Sequence, residues 1–238
     1  MSETTGASGT GAQDTVPVAR SGGPAWYLVP LVGVIGVLLT VMALSGGGDA
    51  PAPYDEPASM AAYFQTVRDD VLFTAPMGTL GAAAMAAFLL ALARRLHAAG
   101  EPGAATAVVA GGVVTVGYFL VVYVIDTALV YQVAVTSPEA TKALFVLTIV
   151  AAPVLGLGVA VTLGGAAYGA ARSGLLPRWW TVASVVGAAI AAIAIFSYAR
   201  NEFFSPDVQQ QTAGNGLFVW LLLTAGTLFV RSRRERRP

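Results

Sequence analysis

Six stretches of this chain are almost wholly apolar, at residues 26–44, 71–93, 105–125, 143–167, 179–198 and 212–230. Each is about the length a helix needs to cross a bilayer, roughly 20 residues at 1.5 Å per residue. The last reaches that length only if residues 212–216 join the apolar run at 217–230. In hydrocarbon every backbone N–H and C=O must be satisfied within the protein, so runs of this kind become helices and not loops. Composition agrees. Of the 238 residues 56% are apolar and 11% charged, against about 25% charged in a soluble domain. The expected fold class is all-α membrane, a six-transmembrane-helix bundle with a short outer amphipathic helix.

The organisation that follows has three parts. Residues 1–24 are small and polar and read as a disordered cytoplasmic tail; residues 25–230 form the transmembrane domain; residues 231–238 are a basic cytoplasmic tail. The first apolar stretch reads as a span and not as a cleaved leader, because its apolar core is long and a single basic residue, Arg20, precedes it. With the N-terminus inside, ten of the 13 basic residues fall on the cytoplasmic side: Arg20, Arg94, Arg95, Arg172, Arg178 and the tail arginines 231, 233, 234, 236 and 237. Arg68, Lys142 and Arg200 fall outside. This bias predicts both termini in the cytoplasm of a multi-pass plasma-membrane protein. The tail is expected to attract anionic lipid headgroups.

Two segments between spans carry helix-start signals. Asp55-Glu56-Pro57 offers an acidic cap and a first-turn proline. Met60, Phe64, Val67 and Val71 then recur at helical spacing, which predicts an amphipathic helix over 57–70 on the outer face. Thr136-Ser137-Pro138-Glu139 repeats the signal ahead of the fourth span. Pro153, mid-span, predicts a kink.

Candidate chemistry is sparse. There is no cysteine and a single histidine, His97, in a basic loop; thiolate chemistry, disulfides and multi-imidazole metal sites are excluded within one chain. Zero net charge gives no basis for a nucleic-acid partner. No cofactor, metal or catalytic residue is expected. The glycine pairs inside the spans fail the context of a phosphate loop; Gly165 and Gly169 instead have the small-xxx-small spacing of close helix packing. Arg68-Asp69-Asp70 reads as a solvated helix terminus, and Asp49, Asp55 and Glu56 lack the spacing of a calcium loop. Asp126 remains. It lies at the end of the third span with apolar sequence on both sides, and an ionisable group there is a functional candidate by default. It is either a structural partner of Arg200 at the end of the fifth span or a coupling site.

The segment Ala61-Ala62-Tyr63-Phe64-Gln65-Thr66-Val67-Arg68, followed by Gly78, Gly81 and Leu92-Ala93-Arg94-Arg95-Leu96, resembles a group of actinobacterial multi-pass membrane proteins of unknown function. The resemblance covers residues 57–97 and implies about six helices and no activity, so it carries over no functional residue. Two readings follow. The first is a non-enzymatic structural, sensing or partner-binding bundle, its protein partner open. The alternative is a small transporter or channel with a pathway near spans three to five. Intramembrane polarity separates them: a path lined by Asp126, Thr115, Thr148 and Thr162 favours transport, and a glycine-packed interior favours the bundle.

Overall fold

The computed structural model describes residues 28–45, 51–132, 137–197 and 204–234, and among them every regular element is helical. The helices are α1 (Leu28–Ser45), α2 (Pro57–Thr66), α3 (Arg68–Ala98), α4 (Pro102–Gln132), α5 (Pro138–Val150), α6 (Ala152–Ser173), α7 (Arg178–Ile193, extended by a 3-10 turn to Phe196) and α8 (Pro206–Arg234). Five helical runs are long and apolar enough to cross a membrane: α3, α4, α5 with α6, α7 with its 3-10 turn, and α8. The α1 helix is apolar but shorter. Large apolar side chains stand exposed along these helices, among them Val113, Val124 and Val182 at 62–68%, as expected of a surface whose solvent is lipid.

The contacts of α1 with α3 and of α4 with α6 are antiparallel, and small residues set how closely these helices approach. On α4 and α6, Thr115 meets Gly158, Gly111 meets Thr162, and Ala104 meets Gly169. A β-carbon added at Gly111 would lie 2.6 Å from both the Gly158 carbonyl oxygen and the Thr162 amide nitrogen, so the two backbones nearly touch. The crossing of α1 and α3 is built alike, with Gly36 against Ala84 and Met85, and Gly81 against Thr40. The threonines at these crossings are fully buried. Two of them return their hydroxyl to the glycine carbonyl four residues back, Thr40 to Gly36 and Thr162 to Gly158, each at 2.9 Å. Gly165 packs against Ala107, as its spacing predicted.

The fourth apolar run is interrupted where Pro153 predicts a kink: it forms two helices, and the chain turns out of helix at Ala151. Pro153 is the physical cause: its ring nitrogen cannot donate to the carbonyl four residues back, and its ring crowds that carbonyl. Near the break the Tyr118 hydroxyl of α4 donates to the Thr148 carbonyl of α5 at 2.9 Å, a neighbouring helix supplying the donor that a broken helix in lipid requires. Tyr118→Phe is therefore expected to lower stability in detergent by about 1–3 kcal/mol, measured by thermal unfolding; an unchanged midpoint would mean the carbonyl finds another donor. Pro76 lies within α3 and does not break it.

Other boundaries also move. The predicted helix over 57–70 ends at Thr66, and Val67 turns the chain (φ −90°, ψ 7°) into α3. The acidic cap does not form. Glu56 occupies the cap position without a side-chain bond, and the Asp55 carboxylate instead accepts from the Ala52 amide at 2.9 Å. Ser137 does cap α5, accepting from the Ala140 amide at 3.3 Å, with Pro138 in the first turn. The last helix starts at Pro206, six residues before the expected 212, and is not short.

Alternation of the helices sorts the charge. Arg94, Arg95, Arg172, Arg178 and Arg231 gather at one end, where Arg172 pairs with Glu101 at 3.0 Å and Arg231 donates to the Gly174 and Leu175 carbonyls. Arg68 and Lys142 lie at the other end, with Asp55, Glu56, Asp69, Asp70, Glu139 and Asp207.

Candidate functional site: a capped cavity at the acidic end

At the acidic end α2 folds back over the bundle. Its stripe behaves as the spacing predicted: Met60, Phe64 and Val67 are buried and pack on Leu129, Val130, Phe145 and Ile149, with Val71 partly buried beside them and Gln65 exposed. This second, smaller core is separate from the main one. The Lys142 ammonium on α5 donates to the Asp55 carbonyl and ties down the loop that leads into α2.

Beneath α2 lies a cavity of about 100 Å³. Asp126 and Tyr123 of α4 contribute to its wall, with Tyr63 and Phe64 of α2, Phe145 of α5 and Thr74 of α3. Tyr123 and Asp126 are three residues apart on one helix, so they share a face. Gly78 makes the tyrosine's position possible: an added β-carbon there would sit 2.6 Å from the Tyr123 ring. Phe119 stacks on Tyr123 from below, ring centres 6.4 Å apart. The aromatic wall continues as Phe64 meets Tyr63 and Phe145 edge to face, at 5.2 and 5.6 Å.

Two polar groups in this wall lack a hydrogen bond of normal geometry. The Tyr123 residue is 6% exposed, and its hydroxyl makes no hydrogen bond of normal geometry among the described residues. The neighbouring Thr40 hydroxyl donates to the Gly36 carbonyl, and its oxygen is the acceptor nearest to the Tyr123 hydroxyl. No hydrogen bond or ion pair engages the Asp126 carboxylate among the described residues. Burial first, and then the nearby Asp126 charge, raise the Tyr63 phenol above its ordinary value, so it remains a neutral donor.

The sequence placed Asp126 at the end of its span. In the structure α4 runs on to Gln132, so Asp126 is inside the helix and its side chain meets the cavity. Arg200, its expected partner, lies outside the described residues. The structure does not bring the three threonines together with Asp126 along a path. Thr115 and Thr162 are locked in the α4–α6 crossing, and Thr148 donates to the Phe145 carbonyl at 2.7 Å. Arg68, Asp69 and Asp70 are exposed on the first turn of α3, and His97 is exposed in its last turn. No group of three His, Cys, Asp or Glu side chains is placed to hold a metal ion among the described residues. Tyr63, Tyr123 and Phe145 were not singled out as site residues by the sequence, although Tyr-x-x-Asp at 123–126 is a legible same-face pair.

No protein-family model matches the chain, and no curated protein and no solved structure matches it at a significant level.

Proposed function

We propose that this is a non-enzymatic multi-pass protein of the plasma membrane, a helical bundle that senses or binds at its acidic end. Six helices cross the bilayer in this reading, with α1 as the first, and α2 is the outer helix. Both termini are cytoplasmic, which puts the arginine-rich end inside, against anionic headgroups. The observation that carries the reading is the contrast in polarity. The interior is packed at crossings where glycines let backbones nearly touch, while Asp126, a carboxylate with no partner among the described residues, lines a cavity at one end. The alternative, a small transporter or channel near spans three to five, draws its support from Asp126, a carboxylate within a span.

Reporter fusions test the orientation: those after Pro102 and Pro177 are expected to read cytoplasmic and one after Pro53 external. An external reading from a C-terminal reporter would overturn the topology. Reconstituted in liposomes, the protein is expected to pass protons, sodium and potassium no faster than empty vesicles. Flux abolished by Asp126→Asn would hand the argument to the transporter.

A further inference from the structure

We infer that the cavity beneath α2 binds a small alkylammonium cation, with Asp126 as its counter-ion and the surrounding aromatic rings as its cage. The inference rests on the sensing reading above and names the class of ligand that would be sensed.

Charge comes first. A carboxylate in a largely apolar wall is costly unless something positive meets it. The described basic residues at this end are placed otherwise: Arg68 is exposed on the first turn of α3, and Lys142 is engaged with the Asp55 carbonyl. An occupant with one positive charge would offset that cost and hold Asp126 in its ionised form. Size comes second. A cavity of about 100 Å³ is below the roughly 300–1,000 Å³ of sites for drug-sized ligands, which suits a small head group. The wall decides the chemistry. A hard metal ion takes about six oxygen ligands, and this wall offers one carboxylate and a few hydroxyls among rings. Four of its lining residues, Tyr63, Phe64, Tyr123 and Phe145, are aromatic, and aromatic rings are the groups that stabilise an alkylated ammonium. The Tyr63 phenol, on the helix that covers the cavity, is the polar group left for an N–H or a bound water.

The test uses the full chain in detergent and isothermal titration with methylammonium, trimethylammonium and tetramethylammonium chlorides, against sodium and potassium chloride. Saturable binding of at least one alkylammonium is expected, preferred over both metal ions about tenfold or more. Asp126→Asn should weaken it about tenfold or more, and Tyr63→Leu, on the helix that covers the cavity, should weaken it severalfold. The second variant keeps the test decisive if the first does not fold. Glu139→Gln, exposed on the first turn of α5, should leave binding unchanged. Equal or tighter binding of sodium or potassium overturns the inference. So does the absence of any saturable binding, or an energetic coupling of Asp126 to Arg200 in a double-mutant cycle with no ligand bound; the bundle reading survives all three. Binding accompanied by Asp126-dependent uptake of the same cation into liposomes supports the site and overturns the non-transporting function.

Discussion

Gly111→Leu is expected to yield no stably folded protein, and Gly111→Ala to cost about 1–3 kcal/mol, because the α4–α6 crossing has no room for a side chain. A β-carbon at Gly111 meets the backbone nitrogen of Thr162 and the backbone oxygen of Gly158, both at 2.6 Å. Neither is the flexible end of a side chain, so relief requires moving one whole helix away from the other. In lipid that separation is not opposed by a hydrophobic force between helices; association depends on close packing and weak polar contacts. Parting α4 from α6 would also open the contacts at Gly158, Gly165 and Gly169 along the same seam. Gly117 and Gly164 provide controls within the same two helices, since an added β-carbon there meets nothing within 4 Å. Alanine at either should be neutral or mildly stabilising, as alanine is the better helix former. Thermal unfolding in detergent, followed by size-exclusion chromatography, reads all four variants. A Gly111→Ala protein as stable as its controls would show that the crossing relaxes and that glycine there is incidental.

The helices were legible because lipid leaves so few alternatives. Once a run of about 20 apolar residues is seen, satisfaction of the backbone forces helix, and only the ends remain to be placed. The ends moved because polar and interfacial residues continue a helix as readily as apolar ones when packing supports it: α4 passes through Asp126 to Gln132, and α8 begins at Pro206. The fourth span shows the converse. Pro153 signalled a distortion, and the sequence held its position, but the donor that meets a carbonyl near the break comes from thirty residues away, the Tyr118 hydroxyl. The cavity was half legible. Asp126 stood out as a carboxylate among apolar residues, yet its partners come from α2, α3 and α5, and no local pattern says which rings from other helices will converge on it. The least legible feature was the hold between α7 and α8, since Trp-x-x-x-Ser at 180–184 and Trp-x-x-x-Thr at 220–224 mean little until the two helices are set side by side.

Trp180→Ala is expected to cost about 3–5 kcal/mol and to loosen α7 before any other long helix. Of the five long spans α7 is the least embedded, 22% buried against 39–50% for the others. Its attachment to α8 therefore leans on few residues. Trp180 donates its indole N–H to the Thr224 hydroxyl at 3.0 Å, and Trp220 donates to the Ser184 hydroxyl at 2.7 Å. Each hydroxyl then donates to the carbonyl of the tryptophan on its own helix, Ser184 to Trp180 at 2.9 Å and Thr224 to Trp220 at 2.7 Å. All four residues are buried, and the indole rings lie 5.6 Å apart. The arrangement is reciprocal, so its parts should be coupled. Thr224→Val alone strands a buried indole N–H and should cost about 1–3 kcal/mol. Trp180→Phe removes the same bond from the other side and keeps most of the packing, so it should cost about 1 kcal/mol. With both changes the donor and its acceptor are gone together, and the total should fall well below the sum of the two single costs. A double-mutant cycle on thermal unfolding measures this. Additive costs would mean that the hydrogen bond contributes nothing to the contact between α7 and α8 beyond ring packing.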